Sequence, residues 1–219
     1  MPGAWRPARR PGGPSTGSLG RVPEHPIRLS QDPAADALLS KDPLALLIGM
    51  VLDQQIPLER AFAGPAELRR RLGGTLDVHT IAGMDPEELA AAFVQRPAVH
   101  RYPRSMAERV RQLCSVVVEE HGGKAQRVWS GAPTGSDLVR RLKALPGFGD
   151  QKARIFAALL AKQLGVRPEG WQEACAPFGE PGTFLSVADI TGEDSLARVR
   201  AQKQVMKAAA KVAPRTRAR

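Results

Sequence analysis

The stretch of this chain richest in chemistry is Leu145-Pro146-Gly147-Phe148-Gly149, set between two helical patterns, "LVRRLKA" and "QKARIFAALLAKQLG". Glycines at 147 and 149 let the backbone turn sharply and approach a ligand with no Cβ in the way. The N–H groups of Gly147, Gly149 and the next helical turn would then point outward, where the helix dipole adds positive potential, and such an array suits a phosphate. Phe148 is expected to fold back between the helices, and Lys152, in the opening turn, is placed for a neighbouring phosphate. An ordinary corner between two helices would also use glycine. The Leu before the Pro, the apolar residue between the glycines and Ala153 four residues past Gly149 favour the DNA-binding form of the turn. A second polar feature is the amide pair Gln54-Gln55, which closes the apolar run "LLIGMVLD".

The elements that position these groups read as helices almost throughout. Asp42-Pro43 is an N-cap followed by an N1 proline, and it opens a helix apolar on nearly every face, suited to the middle of a domain. The pattern places a break at Gly64-Pro65, between "LERAFAG" and "AELRRRLGG", and a new helix at Asp85-Pro86. Met106, Val110, Leu113 and Val117 recur at helical spacing in a helix that closes on Gly122-Gly123. Ser136 is read as the cap of the helix entering the hairpin. Strand signals are scarce, so the chain reads as all-α. Residues 27–200 are expected to form the helical domain, with the hairpin unit at 136–165. Residues 1–26, built of Pro, Gly, Arg and Ser, read as a disordered basic arm, and 201–219 as a basic helix end and tail.

Thirty-two Lys and Arg against twenty-two Asp and Glu give a formal charge of +10 over 219 residues, which favours a polyanionic partner. Two cysteines, Cys114 and Cys175, cannot supply the four thiolates of an iron–sulfur cluster. Cys114 lies in an apolar helical pattern and reads as a buried hydrophobe. No signal peptide or run long enough to span a bilayer is evident, so a cytoplasmic, nucleoid-associated monomer is the expectation.

The segment from about Asp42 to Gly165 resembles the helix-hairpin-helix DNA glycosylase superfamily, known as HhH-GPD. Beside the hairpin, "LLIGMVLDQQ" is similar to the family's early core helix, "YPRSMAERVRQLCSVVVEEHGG" to the helix leading up to the hairpin, and "LRRRLGGTLDVHTIAGMDPEELAAAF" to the helical pair between them. The resemblance implies a two-lobed helical fold that binds double-stranded DNA and flips a damaged base into the cleft between lobes. Gln54 and Gln55 fall where the family places side chains that fill the gap or touch the partner base. No cofactor is implied beyond room for a monovalent cation at the hairpin.

The catalytic pattern departs from the family's. Members that also cut the strand carry a lysine two positions after the second hairpin glycine, and here that position is Gln151. Lys152, one residue on, is turned by about 100° on a helix, away from the expected pocket. The family's acid, an Asp about twenty residues past that glycine, has no direct counterpart. Glu169 stands nearest by spacing; Asp189, in "SVADITGEDS", resembles the lead into the helix but sits late; Glu173 is a poorer third. Tyr102, Trp129 and Trp171 could face an alkylated base, although each suits a structural role. The sequence thus supports a monofunctional glycosylase using Asp189 or Glu169. Its alternatives are a catalytically silent binder of damaged or abasic DNA and, more remotely, an architectural or ribosome-associated protein. The feature that separates the first two is a carboxylate facing the cleft beside the hairpin.

Overall fold

A computed structural model of the chain describes residues 26–212; all but the last residue of the arm expected at 1–26, and residues 213–219 of the helix end and tail expected at 201–219, lie outside the described residues. Ten α-helices follow one another in this span: α1 (Pro33–Lys41), α2 (Pro43–Leu52), α3 (Leu58–Arg71), α4 (Val78–Gly83), α5 (Pro86–Val94), α6 (Pro103–His121), α7 (Gly135–Lys143), α8 (Asp150–Gln163), α9 (Trp171–Ala174) and α10 (Glu193–Val212). The fold is all-α and two-lobed, as expected. No described helix is long and apolar enough to cross a membrane.

Three helices begin with the same device. Asp32, Asp42 and Asp85 each precede a proline, and each carboxylate accepts the next two free amides of its helix. Proline at N1 sacrifices an N–H that would have no intrahelical partner anyway. The helix entering the hairpin starts earlier than its serine suggests. Thr134, not Ser136, caps α7 by accepting from Asp137 N at 3.1 Å. The N–H of Gly135 donates to Glu169 O at 2.7 Å, and a Cβ at 135 would lie 2.5 Å from the Trp171 backbone. That close approach sets the start of α7.

Nor does α3 break at Gly64-Pro65; it runs through Pro65 unbroken. Proline in a helix interior costs on the order of 3 kcal/mol, and here burial offsets it. Ala61, Phe62, Gly64, Pro65 and Leu68 are all buried, and a Cβ on Gly64 would strike Leu52 Cδ1 at 2.6 Å. Gly49 on α2 similarly lies against the Phe62 ring. The two helices therefore pack through glycines, a tertiary gain invisible to local propensity.

Nine of the ten residues of α2 are buried. This helix packs on α1, α3 and α6, with α4 and α5 gathered on α6, while α7, α8 and α9 pack together. The C-terminal end of α2 meets the N-terminal end of α8, so the amide corner and the hairpin are neighbours. α6 carries Met106, Val110, Leu113 and Val117 into the core and ends on Gly122 at φ +58°. Cys114 is buried, and burial pushes its thiol up to about 12, in keeping with an inert apolar role.

Candidate DNA interface and active site

At the hairpin the two glycines do different work. Gly147 adopts φ +85°, and a Cβ there would lie 2.8 Å from Arg109 Cδ, so this glycine faces inward. Gly149 has nothing within 4 Å of its would-be Cβ and faces open space. It is also the N-cap of α8 and brings no side chain to cap the first amides of that helix, which leaves them for an external acceptor. Phe148 is buried and meets Phe156 edge-to-face, ring centroids 5.6 Å apart. As expected, it pins the turn from inside.

Lys152 does not reach outward to a phosphate. Its ammonium donates to Met50 O at 2.7 Å and Val51 O at 3.2 Å, capping the last turn of α2 from another helix. Cations are favoured at that end of a helix dipole. Burial pushes the Lys152 pKa down to about 8; Asp53 opposes the shift and Arg109 adds to it. Gln151 is exposed. The rotation between these positions thus turns Lys152 toward the α2 corner and Gln151 to solvent.

The corner itself is asymmetric. Gln54 is folded back, its amide donating to Val51 O at 2.7 Å and its carbonyl accepting from Arg109 at 3.2 Å. Gln55 is exposed and sits at φ +57°, an uncommon conformation for a side chain other than Gly, Asn or Asp. Of the pair, only Gln55 is free to extend. Beneath it lies a residue that no motif in the sequence singles out, His100. Its Nδ1 accepts Tyr102 N–H at 3.0 Å, which leaves the proton on Nε2 to donate to Gln54 O at 2.8 Å. The imidazole is buried and neutral, and burial holds its pKa below the usual histidine value; Arg60 and Lys152 push the same way.

Because the folded-state pKa is lowered, the stability that His100 contributes is complete above the unfolded value of about 6.5 and is lost as pH falls toward the folded value. Melting temperature should therefore decline on acidification below about pH 6.5, and His100→Gln should lack that part of the decline. Parallel thermal melts across this range read the difference; identical profiles would remove His100 as the latch of the corner.

A second missed residue is Asp53, the C-cap of α2. It is half-buried, and burial raises its carboxyl pKa, opposed by the charges of Lys203 and Lys152 and reinforced by Glu59. Among the described residues, no donor bonds its carboxylate. α10 is held across this corner by an ion pair between Arg200 and Glu59.

Over residues 48–215 the sequence matches the family described as HhH-GPD superfamily base excision DNA repair protein. The chain belongs to the HhH-GPD superfamily. Solved structures similar to it include a non-covalent endonuclease III–DNA complex, at TM-score 0.42 and 19% identity over 57% of this chain and 49% of that one. Another is a trapped endonuclease III–DNA covalent intermediate in an estranged-adenine complex, at TM-score 0.39 and 20% identity over 52% and 46%. The matched region spans about half the length of those chains. No protein of curated function matches.

For an HhH-GPD chain, the placement of the other carboxylates matters. Asp189 lies at the far end of α8. One oxygen meets Lys162 Nζ at 2.6 Å, and the other accepts Leu185 N at 2.9 Å and Ser186 N at 3.1 Å. Lys162 is ten residues beyond Lys152, a rise of roughly 15 Å along the helix. Glu169 is exposed beside the start of α7, its backbone paired to Gly135, the whole helix away from the hairpin. Glu173 is exposed on α9. The structure therefore groups Asp53, Lys152, Gln54 and Gln55 with the hairpin and sets Asp189, Glu169 and Glu173 apart. Of the aromatics, Trp129 is buried edge-on against Phe156, Trp171 packs at the start of α7, and Tyr102 stays 43% exposed beneath the Arg101 guanidinium.

Proposed function

We propose that this HhH-GPD protein is a monofunctional DNA glycosylase, acting as a monomer: it binds duplex DNA through the hairpin, flips a damaged base and hydrolyses its N-glycosidic bond. The open face of Gly149 at the uncapped start of α8 is the observation that carries the reading. A phosphate seated there would draw the duplex against the α2 corner, where Gln55 supplies the side chain that enters the gap. The turn's carbonyls keep a second lone pair after accepting the amides of Leu145 and Phe148. Those carbonyls are the groups that would hold a monovalent cation at the hairpin, where its charge would add to the attraction for a phosphate.

The monofunctional assignment rests on the amines. At 151 stands an amide, which is not nucleophilic, and the Lys152 amine is held under two carbonyls. Burial lowers its pKa to about 8 and so frees part of the amine at neutral pH; what keeps it from the sugar is its place at the end of α2, bonded to Met50 O and Val51 O. The test is a single-turnover incubation with a panel of duplexes carrying alkylated, oxidised or deaminated bases. The expected product is an intact strand with an abasic site, cut only by added alkali, and borohydride at pH 7 should trap no protein–DNA adduct. A trapped adduct would show that Lys152 reaches the sugar and would make the protein a lyase as well. Tight binding with no release from any duplex would leave the silent-binder reading in its place.

A further inference from the structure

We propose that Asp53 is the catalytic carboxylate of this protein, a role that rests on the glycosylase reading above. It stands at the end of α2 beside the hairpin, half-buried, with no donor on its oxygens among the described residues and with Lys152 of α8 and Lys203 of α10 near enough to act on its charge. The contrast with Asp189 is direct. Asp189 spends both oxygens on Lys162 and two backbone amides, whereas the oxygens of Asp53 accept from none of the described residues. Glu169, on the surface, has neither the burial that excludes water nor the neighbourhood of the hairpin.

In the step assigned to it, a water oxygen forms a bond to C1′ of the flipped nucleotide while the C1′–N bond breaks. The electron pair leaves with the base, which takes a proton from solvent, and the proton of the attacking water passes to Asp53. Before that transfer, the carboxylate faces the positive charge developing on the sugar and stabilises it. Burial raises the pKa of Asp53 toward the working range of a general base, where proton transfer is most effective. The two lysines keep the anion in place. Lys152 is then a positioning residue, joining the corner that carries Asp53 to the hairpin that carries the DNA.

The experiment compares wild type and Asp53→Asn in single-turnover base release, on whichever duplex of the panel the wild type processes. If the wild type releases no base, the glycosylase reading fails, whatever the role of Asp53. Given release, Asp53→Asn is expected to slow it on the order of a hundredfold or more, with duplex affinity and melting temperature close to wild type. The wild-type rate should also rise with pH along an acid limb as Asp53 ionises among Lys152, Lys203 and Glu59, and the variant should lack that limb. Release by Asp53→Asn within about threefold of wild type, well short of the effect of losing a general base, would overturn the proposal. So would a loss that appears instead in Glu169→Gln. A wild-type profile with no acid limb would also overturn it, and that measurement stands even if the variant does not fold.

Discussion

Replacing Asp189 by Ala is expected to lower the stability of the protein by about 3–5 kcal/mol, the usual cost of removing one partner from a buried ion pair. The pair is well enclosed: the side chains of Asp189 and Lys162 are 4% and 16% exposed. Without the carboxylate, Lys162 keeps only Glu180 O at 2.7 Å and a long contact to Thr183. The amides of Leu185 and Ser186 lose their acceptor. For a chain of this size each kcal/mol moves the melting temperature by about 2–4 °C, so a drop on the order of 10 °C should be seen by calorimetry. Asp189→Leu combined with Lys162→Met should recover much of it, because the penalty comes from the orphaned ammonium more than from the lost attraction. A melting temperature unchanged in Asp189→Ala would show that the clamp is not structural. If Asp189→Asn then lost base release while melting like wild type, catalysis would belong to Asp189 and not Asp53.

Gly149→Ala should weaken duplex binding by about tenfold or more, roughly 1.4 kcal/mol, while leaving the fold intact. The backbone at 149 (φ −79°, ψ 175°) is open to any residue, and the added methyl meets no protein atom within 4 Å. It would meet a phosphate seated on the first turn of α8. Stability should stay level or rise slightly, since Ala restricts the unfolded chain more than Gly. Gly147→Ala is the wrong probe for the same question. Its φ of +85° and the Arg109 side chain at 2.8 Å make it a folding defect. Fluorescence anisotropy with a labelled duplex, alongside a thermal melt, separates the two. An affinity unchanged in a fully folded Gly149→Ala protein would remove the hairpin from the interface.

Much of the architecture was legible because it is written in local backbone chemistry. Asp-Pro pairs start helices, Gly122 ends one at positive φ, and Leu-Pro-Gly-Phe-Gly turns between two more. Each signal acts within a few residues, where capping and conformational preference decide the outcome. Elsewhere packing overrides those preferences. Pro65 lies inside a helix because Gly64 and Phe62 bury against α2 and its neighbours, and α7 begins at Gly135 because the chain near Glu169 and Trp171 pairs with it.

The sequence by itself determined a helical protein with a basic surplus, a phosphate-ready hairpin and an apolar helix ending in polar residues. Only the tertiary structure decided which of those polar groups share a site. Asp53 carries no signal of its own in the sequence, and nothing around it in the chain announces a lysine reaching back from a hairpin about a hundred residues later to the carbonyls of Met50 and Val51. Asp189 carried the more suggestive local pattern, yet the connection after α8 brings it to Lys162 and two amides that consume both its oxygens. Burial and hydrogen-bond satisfaction are properties of contacts between distant segments. They decide which carboxylate is buried, which is saturated and which remains available, and the spacing of residues along the chain encodes none of these.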